Sequence, residues 1–418
     1  MILTYGYGST QQRVELPEKN LLAELHAKPI PHAHRGEEAV RFALEHPIGA
    51  PRLRESVRPG EKIAIVTSDI SRPMPSAKVL PALLCELWAA GVSPEDVTLV
   101  FALGSHRGHT EAEMRRLAGD AVFEQIRCMD STPEDTVRLG ITSRGTPVDV
   151  TRAVAEADRR ICLGNIEFHY FAGYSGGAKA IMPGVSTPKA IQCNHRFMTS
   201  PDACAGKLEG NPIREDIEEA GELCGIDYIL NVVLDEHKEI VYAVAGDRFA
   251  AHRAGCEYLD RMYRIGIPAR ADIVLVSQGG APKDANLYQT QKALDNAKLA
   301  VRKGGRIILI GACPEGMGSA KFEQWFREAS CPQDLLRRVR ESFELGGHKA
   351  AAIAAVLENA DIDLVSEMDG DFVRSLFLTP RTSAQEALDD ALRFYGPDAT
   401  VISMPYGGST LPSADEDE

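Results

Sequence analysis

Three features are missing or in deficit in this chain, and each excludes something. Cysteine occurs nine times, at 85, 128, 162, 193, 204, 224, 256, 313 and 331, without one Cys-x-x-Cys pair. That odd, scattered set argues against a cysteine-built zinc or iron–sulfur site and fits a reducing compartment. No apolar run approaches the ~20 residues that span a bilayer. The start, Met1-Ile-Leu-Thr-Tyr-Gly, lacks the basic region and apolar stretch of a secretory leader. Positive charge is in deficit, with 46 Lys and Arg against 60 Asp and Glu and a net charge of -14. A nucleic acid or an anionic membrane is therefore not expected as the main partner, whereas a local group of basic residues still suits a small anionic substrate. The expectation is a cytoplasmic soluble protein, with oligomerisation left open.

What is present is ordinary globular material, 44% hydrophobic and 25% charged. A length of 418 residues exceeds what one core usually holds, so two domains are expected. Short Val-, Ile- and Leu-rich runs recur at 62–67, 97–101, 160–163, 273–276, 306–310 and 400–403. Helical patterns at 76–91, 111–118, 213–224, 285–301 and 333–343 lie between them. Alternation of this kind predicts an α/β protein with two domains of largely parallel sheet flanked by helices, and the motifs that follow the strands together suggest an active site in the crevice between the two domains. Residues 228–242 read instead as an antiparallel hairpin turning near 235–238. The pattern breaks at 262–271. The expected division is an N-terminal α/β domain over 1–265, a C-terminal α/β domain over 266–408, and a disordered acidic tail over 409–418.

Several motifs follow the expected strands, where ligands of open α/β sheets sit. In Ser68-Asp69-Ile-Ser-Arg72-Pro, Asp69 can cap a helix or bind a ligand. Arg72 can grip a carboxylate with its fork, or the two can simply fix a loop. Gly104-Ser-His106-Arg107-Gly-His109 offers two histidines near the neutral range, and the position nearer the strand end favours His106. The segment His169-Tyr-Phe-Ala-Gly-Tyr-Ser-Gly-Gly-Ala-Lys179, with Asn194-His195 downstream, is the richest. Glycines 173, 176 and 177 suit close approach of backbone to a ligand. Gly-Gly-Ala-Lys179-Ala is not a P-loop, which needs Gly before the lysine and Ser or Thr after it. A lysine among small residues can be a covalent anchor or an ordinary surface lysine. Asn286-Leu-Tyr288-Gln289-x-x-Lys292 follows the strand at 273–276, with Gln289 and Lys292 spaced to share a helix face.

In that order, these motifs resemble the nickel-dependent lactate racemase family of nickel-pincer nucleotide 2-hydroxy acid racemases and epimerases. The matched stretches are Asp69-x-Ser-Arg72-Pro, Gly-Ser-His106-Arg, the His169–Lys179 run continuing through x-Ile-x-Pro-Gly, Asn194-His195, and Asn286-Leu-Tyr-Gln289-x-x-Lys292. The resemblance implies a pyridinium-3,5-bisthiocarboxylic acid mononucleotide nickel cofactor, covalently attached at Lys179, with His195 as the protein ligand to nickel. It implies His106 and His169 as acid and base. It implies Arg72, Gln289 and Lys292 as substrate contacts, and Asp69, Gly176, Gly177, Tyr288, Gln289 and Lys292 as cofactor contacts. Cofactor-synthesis proteins are implied as partners. Only Trp88 and Trp325 are present, and no tryptophan follows His348-Lys349 where the lactate enzyme is expected to have one. The expectation is therefore a 2-hydroxy acid more hydrophilic or more charged than lactate. Two further readings stay open on sequence alone: a pyridoxal-phosphate enzyme with Lys179 as Schiff base, and a non-catalytic nickel- or cofactor-binding protein.

Overall fold

The computed structural model describes residues 1–28, 30–31, 33–341, 343–344 and 346–414. The chain forms two compact units, one comprising Ile30–Arg261 and the other Met1–Pro29 with Met262–Glu418.

The Ile30–Arg261 unit is built on a six-stranded sheet. Its spatial order is Ile240–Gly246, Tyr228–Leu234, Arg159–Asn165, Ile63–Ser68, Val97–Ala102 and Arg127–Asp130. All neighbours are parallel except the pair 228–234 and 240–246, the hairpin expected from the sequence. Ile63, Ala64, Ile65, Val66 and Thr67 are all buried, so this central strand is covered on both faces and reads as a continuous apolar run. Helices Gly36–Glu45 and Ser76–Ala89 bring Val40, Leu44, Val79, Leu80, Leu83 and Leu87 into one core with Ile63, Leu99 and Phe101. Each such aliphatic side chain contributes about 1.5–3 kcal/mol on burial.

The other unit carries a six-stranded parallel sheet in the order Thr379–Arg381, Ala360–Val365, Val301–Ile310, Ala271–Ser277, Val401–Met404 and Leu21–Glu24. An N-terminal hairpin, Ile2–Tyr7 against Thr10–Glu15, shares a core with that sheet through Leu3, Tyr5, Val14 and Leu16.

The sequence division differs from this arrangement at both ends. Residues 1–29 were expected within a 1–265 domain. They belong instead with the C-terminal unit, because Leu21–Glu24 pairs in parallel with Val401–Met404. Of the tail expected over 409–418, Leu411–Ala414 is a strand paired with Arg264–Ile267, and Leu411 and Ala414 are buried. Residues 415–418 lie outside the described residues. The helix expected over 285–301 is divided at Gln291 into Leu287–Thr290 and Lys292–Ala300.

Candidate active site

Three parallel neighbours, Ile63–Ser68, Val97–Ala102 and Arg159–Asn165, end on the same side of the sheet. The chain runs outward from the first of them in both directions, so their carboxyl ends flank a topological switch point, the usual ligand position in an open α/β sheet. Asp69 and Arg72 follow the first strand, His106 and His109 the second, and His169 the third.

Asp69 is buried. Its Oδ2 accepts Nδ1–H of His106 at 2.7 Å and its Oδ1 accepts the Ser71 hydroxyl at 2.9 Å. Burial raises the Asp69 pKa, but the hydrogen bonds from His106 and Ser71 and the nearby positive charge outweigh it and leave the carboxyl below its ordinary range. Because an ionised carboxylate only accepts, His106 carries its proton on Nδ1 and presents Nε2 as a bare acceptor. The His106 side chain is 44% exposed. Arg72 is exposed, and its side chain has no hydrogen bond or ion pair among the described residues. His109 is different: its side chain is 1% exposed, Nδ1 bonds to Asp130 at 2.6 Å, and Nε2 accepts the Ile70 N–H at 3.0 Å. Both of its ring nitrogens are occupied.

His169 lies in a two-residue hairpin, Phe168 opposite Tyr174 and His169 opposite Gly173. Its Nδ1 accepts the Ala172 N–H at 3.3 Å. The buried Arg214 ties this hairpin down, donating from Nε to Ala172 O at 3.1 Å and from Nη2 to Tyr174 O. Phe171 gathers the neighbouring functional groups. Its ring centroid is 4.5 Å from that of His169, 4.8 Å from that of His195 and 5.9 Å from Lys179 Nζ. Lys179 is partly accessible over the residue as a whole, yet its amine is held well below the ordinary lysine value. Burial of the amine is the largest cause, followed by the positive charges of Arg72 and Arg214, with Glu167 opposing. The glycines of this run were expected to admit a ligand; at the positions of their absent side chains the structure places protein instead. A Cβ on Gly173 would lie 2.0 Å from Lys207 O, one on Gly176 2.7 Å from Asn231 Oδ1, and one on Gly177 2.9 Å from His252 Cδ2.

His195 ends the helix Pro188–His195 and is buried. Asn194 donates from Nδ2 to Asp216 Oδ2 at 2.7 Å, which turns its Oδ1 toward His195 Nδ1 at 2.9 Å. The proton of His195 thus sits on Nδ1 and the lone pair on Nε2, the arrangement of a metal-ligating imidazole oriented from behind. Among the described residues no group of three or more His, Cys, Asp or Glu side chains is arranged to hold a metal. A metal at His195 would take its remaining donors from a bound group. The donor set fits a nickel carried by a sulfur-armed cofactor, since nickel accepts square-planar coordination and soft ligands, and Lys179 in its neutral form fits the covalent anchor.

Tyr288, Gln289 and Lys292 belong to the other unit. Tyr288 and Gln289 lie on the short helix Leu287–Thr290, which Asn286 caps by accepting the Gln289 N–H at 3.1 Å, whereas Lys292 opens the next helix, Lys292–Ala300. The buried Lys349 donates to Gln291 Oε1 at 2.7 Å and stands 5.6 Å from the Tyr288 ring centroid. Beside it His348 is kept neutral, its pKa pushed down to about 3 by burial and the Lys349 charge. Trp325 is fully buried against Gly347 and donates to Glu344 at 3.2 Å. Phe171, Asp130, Arg214 and Asp216 belong to the site without being marked as such in the sequence. The first lay inside a quoted motif, but nothing local marks the other three as partners of segments about 20 to 40 residues away in sequence.

Residues 7–206 match the lactate racemase N-terminal domain and residues 267–411 the lactate racemase C-terminal domain. A lactate racemase of Thermoanaerobacterium thermosaccharolyticum is 34% identical over 417 residues, 97% of each chain. One of Lactiplantibacillus plantarum is 32% identical over 383 residues, 89% of each. The solved structure of the T. thermosaccharolyticum lactate racemase apoprotein superposes with a TM-score of 0.92 at 33% identity, covering 99% of this chain and all of that one. A Thermotoga maritima protein shares the fold at a TM-score of 0.67 and 19% identity, over 91% of this chain and 98% of its own. The protein is an α/β enzyme of the isomerase class, a racemase. It belongs to the lactate racemase family. No helix among the described residues is long and apolar enough to cross a membrane.

Proposed function

We propose that this enzyme interconverts the stereoisomers of a small 2-hydroxy acid, lactate or a close relative, using a nickel-pincer nucleotide anchored at Lys179. The observation that carries the reading is the convergence of His169, Lys179 and His195 on the Phe171 ring, in the same unit as the Asp69–His106 pair. When bound, the cofactor supplies an electrophilic acceptor for the substrate's α-hydrogen as hydride.

The chain's own residues do the rest. Removing the α-hydrogen as a proton would build a carbanion beside the substrate carboxylate. Removing it as hydride while a base takes the hydroxyl proton leaves a planar 2-keto acid and no such anion. His106 takes that proton at Nε2, and Asp69 stabilises the imidazolium that results. His169 serves the hydroxyl of the opposite enantiomer. Arg72 pairs with the carboxylate and holds it while the keto group turns between faces. His195 would hold the nickel, its Nδ1 being turned toward Asn194. Gly176 and Gly177 shape the anchor segment, and Tyr288, Gln289 and Lys292 are assigned to cofactor and substrate contacts on the family resemblance.

The test is co-expression with the cofactor-synthesis proteins, followed by intact-mass and nickel analysis and by chiral assay on D- and L-lactate beside larger and more charged 2-hydroxy acids. A mass increment on Lys179, one nickel per chain and enantiomer interconversion are expected. An unmodified Lys179 in a cofactor-competent host sinks the anchored-cofactor reading. The acid turned over fastest decides between lactate and the more polar substrate that the tryptophan content suggests.

A further inference from the structure

We propose that His109, held by Asp130, is the positioning residue that aims His106; the proposal rests on the reading of His106 as a proton acceptor. Asp130 grips His109 twice, accepting its backbone N–H at Oδ2 over 2.7 Å and its Nδ1–H at Oδ1 over 2.6 Å. With the proton on Nδ1, Nε2 is bare and accepts the Ile70 N–H at 3.0 Å. The Phe101 ring meets the imidazole edge-on at 5.4 Å and closes the remaining side.

Ile70 immediately follows Asp69, so a bond to its amide fixes the peptide plane through which the Asp69 carboxylate is presented. That carboxylate and the Ser71 hydroxyl are the partners of His106 Nδ1, at 2.7 and 3.2 Å. The path therefore runs from Asp130 through the His109 ring to the amide at 70, then through Asp69 to His106. Each step uses a donor and an acceptor whose sense is fixed: an amide only donates, an ionised carboxylate only accepts, and each ring is left with one possible tautomer. The His106 side chain is 44% exposed, and its ring is held at Nδ1 by Asp69 and Ser71, the end of this path. A histidine suits the place because it spans from Asp130 to the Ile70 amide with a donor at one end and an acceptor at the other.

The test uses His109→Asn, which keeps an amide near Nδ1 but is too short to reach Ile70, and His109→Gln, whose amide oxygen can stand where Nε2 stood. Long-range proton–nitrogen spectra of histidine-labelled protein without cofactor report the tautomer of each ring. We expect His106 to be Nδ1-protonated in the wild type and in His109→Gln. In His109→Asn it should drift toward the Nε2-protonated form that free imidazole favours. In the loaded enzyme kcat should fall at least ~10-fold in His109→Asn with KM little changed, and recover to within ~3-fold in His109→Gln, the scale of an orienting partner. An unchanged His106 tautomer in His109→Asn overturns the proposal. So does a loss of activity that is equal in both variants and follows their Tm. Should His109→Asn fail to fold, Asp130→Asn, which leaves the ring whole, is read the same way. A wild type that interconverts no 2-hydroxy acid removes the proposed function, while the tautomer spectra still decide whether His109 sets His106.

Discussion

His106 and His169 hold their Nδ1 atoms in opposite states. That of His106 gives its proton to Asp69 at 2.7 Å, and that of His169 accepts the Ala172 N–H at 3.3 Å. A neutral ring has one bare nitrogen, so the acceptor is Nε2 in His106 and Nδ1 in His169. If the two act as the proposed acid and base, His106 is ready to take a proton as it stands, whereas His169 must first give up its long bond to Ala172. In single turnover of the loaded enzyme, the enantiomer served by His106 should release 2-keto acid faster than its mirror image. His106→Asn should slow that fast enantiomer by roughly 10²–10⁴, the usual weight of a general base. His169→Asn should abolish racemisation to a similar degree yet leave the fast half-reaction. Quenched-flow measurement of keto acid from each enantiomer checks both statements.

Lys179 should behave as a neutral amine. Its pKa lies well below the ordinary lysine value because burial, Arg72 and Arg214 all disfavour the charge, and an uncharged amine is the nucleophilic form. Brief treatment of the cofactor-free protein with an amine-selective reagent near pH 7.5, followed by peptide mass mapping, should label Lys179 ahead of exposed lysines such as Lys19 and Lys78. Arg72→Gln should raise the Lys179 pKa and slow its labelling. Labelling of Lys179 that lags behind the surface lysines would refute the prediction.

The fold was legible where the signal is local. The strands at 63–68, 97–102 and 271–277 are buried on both faces and announce themselves as apolar runs. The hairpin at 228–246 carries its own turn. Leu21–Glu24 and Leu411–Ala414 were missed because each is four residues long and pairs with a strand far away in sequence, so nothing within a short window records the partnership. The site shows the same division. His106, His169, Lys179 and His195 stand out in the motifs, but the orientation of the Asn194 side chain depends on Asp216 and that of the His109 ring on Asp130. A side chain that works by orienting another leaves no periodicity and no composition to read.

Asn194 should govern metal retention without touching the metal. It passes the fixed charge of Asp216 to His195 Nδ1–H and so keeps Nε2 aimed. Asn194→Ala should lower nickel occupancy of the loaded protein, with affinity falling 10–100-fold as for other outer partners of ligating histidines. Nickel content after dialysis against a graded chelator series measures this. Equal retention in the variant and the wild type would show that His195 is held by packing alone.

Gly176 should tolerate no side chain. Its φ is +76°, and a Cβ would come 2.7 Å from Asn231 Oδ1 and 2.9 Å from Ile166 Cγ1. Asn231 is itself fixed by accepting the Gly177 N–H at 2.8 Å. Gly176→Ala should cost about 2–3 kcal/mol, combining positive-φ strain with overpacking, and should displace the segment leading to Lys179. Urea denaturation gives the first quantity, and the labelling rate of Lys179 reads the second.

Glu86 provides a test of stability against pH that is independent of the site chemistry. Its buried carboxylate accepts from Arg52 Nη2 at 2.8 Å and from Arg54 Nη2 at 2.6 Å, with further bonds from both Nε atoms. Burial alone would raise its pKa, but the two guanidinium groups more than reverse that and lower it to about 2. A folded-state pKa below the unfolded value of about 4.3 means that the native state holds the charged form more firmly. The contribution is therefore complete above pH ~5 and is lost as the pH falls toward 2, and it amounts to about 3 kcal/mol at neutral pH. Glu86→Gln should be less stable than the wild type by about that amount at pH 7 in urea unfolding. The gap should narrow steadily from pH 5 toward pH 2, because the unfolded wild-type chain takes up a proton at Glu86 over that range while the folded chain still holds the carboxylate ionised. A gap that stays constant over that range would assign the effect to packing of the longer Arg52 and Arg54 side chains rather than to the charge of Glu86.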